Sequence, residues 1–223
     1  MPNKDGRGLF ITLEGGEGSG KTSQINRLAQ FLTDEGHKVI TTREPGGTPE
    51  AESVRDILVQ RDSGNWSPMA ETLLIFAARV MHVDNVIKPA LDDGKIVICD
   101  RFTDSTVAYQ GYGRQMKINK IKSIQEVAIK SLEPDLTFIL DLDVKAGLER
   151  SKKRLAGQKG YDQTEDRFER LDTDFHERLR NGFLQIAKNE PDRCHVIDAE
   201  QSMDDVYEHL KKITISKLAD KKG

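Results

Sequence analysis

The segment Leu9-Phe10-Ile11-Thr12-Leu13-Glu14-Gly15-Gly16-Glu17-Gly18-Ser19-Gly20-Lys21-Thr22 decides how this chain folds. Residues 15–22 satisfy the phosphate-loop pattern G-x-x-x-x-G-K-[ST]. The apolar run before them reads as a strand, and Ile25, Leu28, Ala29 and Leu32 behind them fall at helical spacing. A strand running through such a loop into a helix is the context that separates a phosphate loop from an accidental Gly-rich turn. Each residue type has a reason. The glycines (Gly15, Gly16, Gly18, Gly20) and Ser19 let backbone N–H groups turn inward around phosphate oxygens, and the new helix points its positive end there. Lys21 adds a mobile cation and the Thr22 hydroxyl can ligate magnesium. The chain therefore reads as a nucleoside triphosphate binder.

Composition limits the rest. At 223 residues and 25.1 kDa the chain suits one α/β domain spanning 1–223, with no internal repeat or long linker. Apolar residues make up 36% and charged residues 32%, and no apolar stretch approaches the ~18 residues of a membrane span. The first eight residues are polar and carry no apolar signal segment, so a cytoplasmic location without membrane association is expected. Cys99 and Cys194 have neither paired spacing nor secreted context and are expected to be free, buried thiols. The five histidines lack metal-ligand spacing, and a net charge of −3 offers no general basic field, so no nucleic-acid partner is expected.

Four more short apolar runs follow, at 38–42, 95–100, 135–142 and 195–199. Helical patterns lie between them at 21–35, 50–60, 69–92, 104–110, 119–132, 144–156, 165–188 and 203–219. This alternation predicts a five-stranded parallel sheet with helices on both faces, a three-layer α/β/α P-loop NTPase fold. Ligands of such sheets collect at the carboxyl ends of the strands. The second run ends in Thr42-Arg43-Glu44-Pro45-Gly46-Gly47-Thr48, by itself an ordinary turn. The third ends in Asp100-Arg101-Phe102. There a carboxylate can face magnesium opposite Thr22 and a guanidinium can clamp a phosphate; a surface ion pair or a helix N-cap is the alternative reading.

Taken in order, residues 14–22, 42–48 (T-R-E-P-G-G-T), 73–79, 100–102 (D-R-F) and 104–114, containing S-T-V-A-Y-Q-G-Y-G-R, resemble the thymidylate kinases, particularly the bacterial form. The resemblance runs from about residue 8 onward. It implies a nucleoside monophosphate kinase-like fold, a homodimer, and transfer of a phosphoryl group from ATP to dTMP with Mg²⁺, giving dTDP for dTTP synthesis. It also implies residue roles. Lys21 would neutralise the β/γ-phosphates, Arg101 would hold the acceptor phosphate in line, and Asp100 and Thr22 would lie at the metal. Glu17 would sit near the acceptor sugar and the metal. Pro45, Arg55 and Arg79 would surround dTMP, one of the two arginines toward its phosphate and one toward the base. Ser105, Thr106 and Gln110 would contact the thymine edge, and Tyr109 would pack beneath the deoxyribose. On the residues alone, Arg79 could equally snorkel to solvent and Tyr109 could belong to the core.

The family usually has a phenylalanine four residues before the helix arginine. Here that position is Ile75, with Phe76 one residue later, and both can neighbour Arg79 on a helix. Either could face the base. Residues 150–170 gather Arg150, Lys152, Lys153, Arg154, Lys159, Arg167 and Arg170 around Gly157 and Gly160. Such a charge run is commonly a solvated face. The phosphate loop itself carries no arginine, however, and the resemblance implies a lid arginine: Arg150 or Arg154 acting in transfer, or Arg167 at the ATP. A kinase for a neutral hydroxyl acceptor, or a switch GTPase, is the rival reading. Against the GTPase, Asp100 is followed by Arg101 without a switch glycine, and Asn119-Lys120-Ile121-Lys122 lacks the aspartate of N-K-x-D.

Overall fold

The structure is a computed structural model describing residues 7–60, 64–130, 132–157 and 167–222, the side chains of 154–157 and 222 excepted. Its centre is β1 (Phe10–Gly15), every residue of which is buried. Phe10, Ile11 and Leu13 fill both faces, and a polar pair inside, Thr12 and Thr137, meets hydroxyl to hydroxyl at 2.8 Å. Around β1 lie β2 (Val39–Arg43), β3 (Ile96–Asp100), β4 (Leu136–Asp141) and β5 (Cys194–Asp198), all parallel in the order β2-β3-β1-β4-β5. The central strand thus has β3 on one side and β4 on the other. Strand order reverses there, and the sheet opens a crevice at its carboxyl edge. The register places Asp100 beside both Leu13 and Arg43, so the ends of β1, β2 and β3 meet at that edge.

The helices begin where local chemistry says they should. The first, α1 (Lys21–Asp34), leaves the phosphate loop through Gly20 in a left-handed conformation, φ 89°. Thr48 caps α2 (Pro49–Val59) and Ser67 caps α3 (Pro68–His82), each followed by proline at the first helical position, where its missing N–H costs nothing. The single helix predicted over 69–92 is three pieces. After α3 comes a π-helical turn, Val83–Ile87, and then α4 (Lys88–Asp92). Pro89 explains the break: its ring would crowd the carbonyl four residues back, and the wider turn, in which the Lys88 N–H reaches the Val83 carbonyl, makes room.

The helix predicted over 104–110 is likewise a short α5 (Thr103–Thr106) continued by a π segment, Val107–Gly113. Further on lie α6 (Ile118–Ile129), α7 (Val144–Gly157), α8 (Thr173–Asn189) and α9 (Met203–Lys222). The pattern predicted over 165–188 starts late, because the Asp172 side chain caps α8 through the Phe175 N–H at 2.6 Å; 165–166 lie outside the described residues. One core packs α1 and α9 on one sheet face, and two others pack α3, α4, α6 and α8 on the opposite face. At the amino edge of the sheet the Lys221 ammonium donates to the Gly8 carbonyl at 2.6 Å and Arg7 pairs with Asp135 at 2.9 Å. Cys99 and Cys194 are free and buried.

Candidate active site

The phosphate loop is shaped by what touches it from behind. Gly18 has φ 69°, and a Cβ there would lie 2.2 Å from the Gly147 carbonyl oxygen on α7, so the loop and that helix meet backbone to backbone. Ser19 ties the loop internally, its hydroxyl donating to the Gly16 carbonyl at 2.9 Å. The Lys21 ammonium donates to the Gly16 and Gly15 carbonyls at 3.0 and 3.2 Å. Burial and the nearby Arg101 guanidinium bring its pKa down to about 8, against the pull of Asp100 and Glu17. Next to it the Thr22 hydroxyl donates to Asp100 Oδ2 at 3.3 Å.

Arg101 joins this loop to the rest of the crevice. Its backbone is left-handed, φ 68°, a conformation that L side chains rarely adopt and that costs on the order of 1–3 kcal/mol. Its guanidinium donates to the Gly15 carbonyl at 2.8 Å, to Glu17 at 3.0 Å and to Ser105 at 3.3 Å, and lies 5.0 Å above the Tyr109 ring. Glu17 also accepts the Tyr109 hydroxyl. Burial would raise the Glu17 pKa, but Arg101, Lys21 and the Tyr109 hydrogen bond overcome it and hold it at about 2. Tyr109 lines the crevice and also packs edge-on against Phe168 and Phe175 at 5.4 and 6.0 Å.

The far wall is built by α3 and the segment after β3. Arg79 does not snorkel, being only 2% exposed. It donates to Glu44 at 2.6 Å, to the Phe102 carbonyl and to the Thr106 hydroxyl, both at 3.0 Å, and lies between the Phe76 and Phe102 rings. Its Nη1 is buried without a partner among the described residues. Glu44 also holds His82 Nδ1 at 2.9 Å, and His82 Nε2 meets the Thr42 hydroxyl at 2.6 Å. The Ile75 and Phe76 alternatives separate here. Ile75 lines the crevice, whereas Phe76 is buried in the core, so Phe76, expected as a candidate contact, is not on the wall. Pro45, Arg55, Ser105, Thr106 and Gln110 all line the crevice, with Arg55 donating to the Pro45 carbonyl at 3.2 Å.

Of the lid candidates, Arg150 lines the crevice beside Gly18 and donates to the Ala199 carbonyl at 3.1 Å. The side chain of Arg154, like Lys159 and Gly160, lies outside the described residues. Arg167, expected at the ATP, turns elsewhere: its guanidinium pairs with the buried Glu71 on α3 and its N–H bonds the Val59 carbonyl at 3.3 Å. The reason is electrostatic, since Glu71 is fully buried and needs cations beside it.

Three carboxylates went unread in the sequence. Glu14, at the end of β1, accepts the Phe102 N–H at 2.8 Å and the Ser105 hydroxyl at 2.5 Å; burial, and then Asp104, push its pKa up to about 8. Glu44 and Glu71 orient Arg79 and Gln110. The available signal was position: Glu14 abuts the loop, and Glu71, Ile75 and Arg79 share one helical face.

The crevice encloses about 1160 Å³ and runs unbroken from Lys21 and Thr22 past Arg101 to Arg79 and Gln110. That exceeds the roughly 300–1,000 Å³ of a single-ligand pocket and suits two nucleotides meeting phosphate to phosphate. Such a fold with such a crevice defines a P-loop kinase of the nucleoside monophosphate type. The thymidylate kinase family model matches residues 13–210. The thymidylate kinase of Caulobacter vibrioides is 46% identical over 212 residues, covering 95% of this chain and 98% of that protein. That of Syntrophotalea carbinolica is 47% identical over 210 residues, covering 94% and 96%. The solved thymidylate kinase of Ehrlichia chaffeensis superposes with a TM-score of 0.74 at 38% identity, covering 93% of this chain and 99% of that one. The chain belongs to the thymidylate kinase family and is an enzyme, a phosphotransferase.

Proposed function

We propose that the crevice transfers the γ-phosphoryl group of ATP to the 5′-phosphate of dTMP, giving dTDP and ADP. The observation that carries this reading is Arg101, a partly buried cation bonded to the phosphate loop on one side and standing over Tyr109 on the other. It is where two phosphates would meet. An ionised phosphate oxygen is already a nucleophile, so the chemistry needs alignment and charge neutralisation rather than a base. Lys21 would exchange its loop carbonyls for the β/γ-phosphates, and Arg150 would close from α7 over the donor.

At the other end, the unpartnered Nη1 of Arg79 offers a donor and the unpartnered Oε1 of Gln110 an acceptor. These match O4 and N3–H of thymine. Ile75 would cover the ring, Tyr109 would support the deoxyribose with Glu17 beside it, and Arg55 would approach the acceptor phosphate. The hydroxyl of Thr22 and carboxylate of Asp100 are hard oxygen donors facing the loop, as Mg²⁺ requires, and no group of three metal-ligating side chains is found among the described residues. A site of few protein ligands completed by phosphates fits Mg²⁺, which Thr22 and Asp100 would help hold and which would supply neutralisation of phosphate charge.

The reading includes one domain with residues 150–170 as its lid, and a cytoplasmic location; no described helix is long and apolar enough to cross a membrane. It also includes a homodimer, supported by Met69, Leu73 and Met81, which line one exposed apolar stripe of α3. Leu73→Glu should shift the protein from dimer to monomer in light scattering; a monomeric parent protein would remove the dimer from the reading. The function is tested by coupled ADP release with ATP and Mg²⁺ across dTMP, dUMP, thymidine, CMP and no acceptor, with products separated by chromatography. ADP matched by dTDP, strongest with dTMP, is expected. Thymidine-dependent turnover or acceptor-independent ADP release would overturn it.

A further inference from the structure

Glu71 is the one carboxylate of α3 and is fully buried. One oxygen accepts Arg114 at 3.0 Å and Arg167, and the other accepts Gln110 Nε2 at 3.1 Å. With two guanidinium groups on it, this carboxylate offers acceptors only. A primary amide facing it must therefore present its NH₂, and its carbonyl is left pointing the other way. Gln110 Oε1 is accordingly buried and without a partner, on a residue that lines the crevice.

We infer that Glu71 is a positioning residue for base specificity: by fixing which end of the Gln110 amide faces the crevice, it sets that wall to read a pyrimidine edge with a carbonyl acceptor at C4 and an N–H donor at N3, and to reject the reversed pattern of cytosine. This rests on the assignment of dTMP to the Arg79 and Gln110 end of the crevice. Arg79 Nη1 donates and Gln110 Oε1 accepts, complementary to O4 and N3–H. Cytosine offers a lone pair at N3 and an amino group at C4, so both contacts would oppose. A freely rotating amide could serve either base by exchanging its ends; an amide anchored by a carboxylate cannot. Rejection then comes from buried polar groups left unpaired, a stronger discriminator than shape.

The test compares dTMP with 5-methyl-dCMP, which share the methyl group and differ only at that edge, by coupled ADP release in parent, Glu71→Gln and Glu71→Asp enzymes. Glu71→Gln lets Gln110 turn over. Glu71→Asp keeps the charge for the arginines but withdraws the oxygen from Gln110 by one methylene, and serves if the first variant does not fold. The ratio of kcat/KM for dTMP over 5-methyl-dCMP is expected to fall at least tenfold. A merely structural role would lower both substrates together and leave the ratio within twofold of the parent, which would overturn the inference. Failure of the parent enzyme to convert dTMP would instead overturn the site assignment beneath it.

Discussion

Lys21 is held by the carbonyls of its own loop, and that arrangement separates binding from chemistry at a single residue. Lys21→Ala removes a cation aimed at the transferring group while leaving Arg79, Gln110 and Tyr109 in place. Turnover should fall on the order of 100- to 1,000-fold, the scale of losing one preorganised electrostatic contact, with dTMP still raising the melting temperature as in the parent. Retained turnover would remove Lys21 from the mechanism. Glu14 makes a second prediction, about pH. Its carboxyl titrates near 4.5 when unfolded and is pushed up to about 8 in the fold by burial and Asp104. The folded state therefore keeps a proton that the unfolded chain releases between those values, so stability is full below about pH 4.5 and declines as pH rises to about 8. Glu17 and Lys21 act outside this window, Glu17 between about 2 and 4.5 and Lys21 between about 8 and 10.5. Glu14→Gln should flatten the fall in melting temperature between pH 5 and 8, at roughly 2–4 °C for each kcal/mol removed; an unchanged slope would contradict the raised titration. These carboxylates show why part of the site was hidden in the sequence. A glutamate in the first turn of a helix, as Glu71 is, reads as a partner of the helix dipole, and only its burial under two arginines reveals another role.

At the scale of elements, α7 bears directly on the phosphate loop. A Cβ at Gly147 would lie 2.5 Å from the Glu17 carbonyl oxygen. In an open helix Gly→Ala stabilises by up to about 1 kcal/mol. Here Gly147→Ala should destabilise by about 1–3 kcal/mol through overpacking and raise KM for ATP more than for dTMP, since it parts α7 from the donor side. Calorimetry and steady-state kinetics check this, and a stabilised variant would show that the two elements slide freely. The elements themselves were mostly legible. Short β-branched runs such as 95–100 and 135–142 have no competing reading between helical patterns. What periodicity could not show was phase and interruption. Ile75 and Phe76 differ by one residue, and only the packing of Phe76 beneath Arg79 decides which faces the crevice. The π turns at 83–87 and 107–113 lengthen the helical period locally, a change that a fixed 3.6-residue template averages away.

Across the whole molecule, the two sides of the sheet are tied behind the site. Arg193, just before β5, forks onto Asp104 at 2.7 and 2.8 Å and reaches the Thr137 hydroxyl at 2.8 Å, which in turn meets Thr12 on β1. Arg193→Ala would leave Asp104 charged and buried beside Glu14. A loss of roughly 3–5 kcal/mol, on the order of 10 °C in melting temperature, is expected by scanning calorimetry. A shift of under a few degrees would mean that the pair carries no such load. This tie was not legible from the chain, because its members are separated by 89 residues and belong to no motif.

The contact between Lys221 and Gly8 lies at the sheet edge opposite the phosphate loop. It gives the enzyme a back: a surface tether or a fluorescent reporter attached through either neighbouring segment would hang away from the nucleotides, and a device built on this protein could be anchored there with its crevice facing outward.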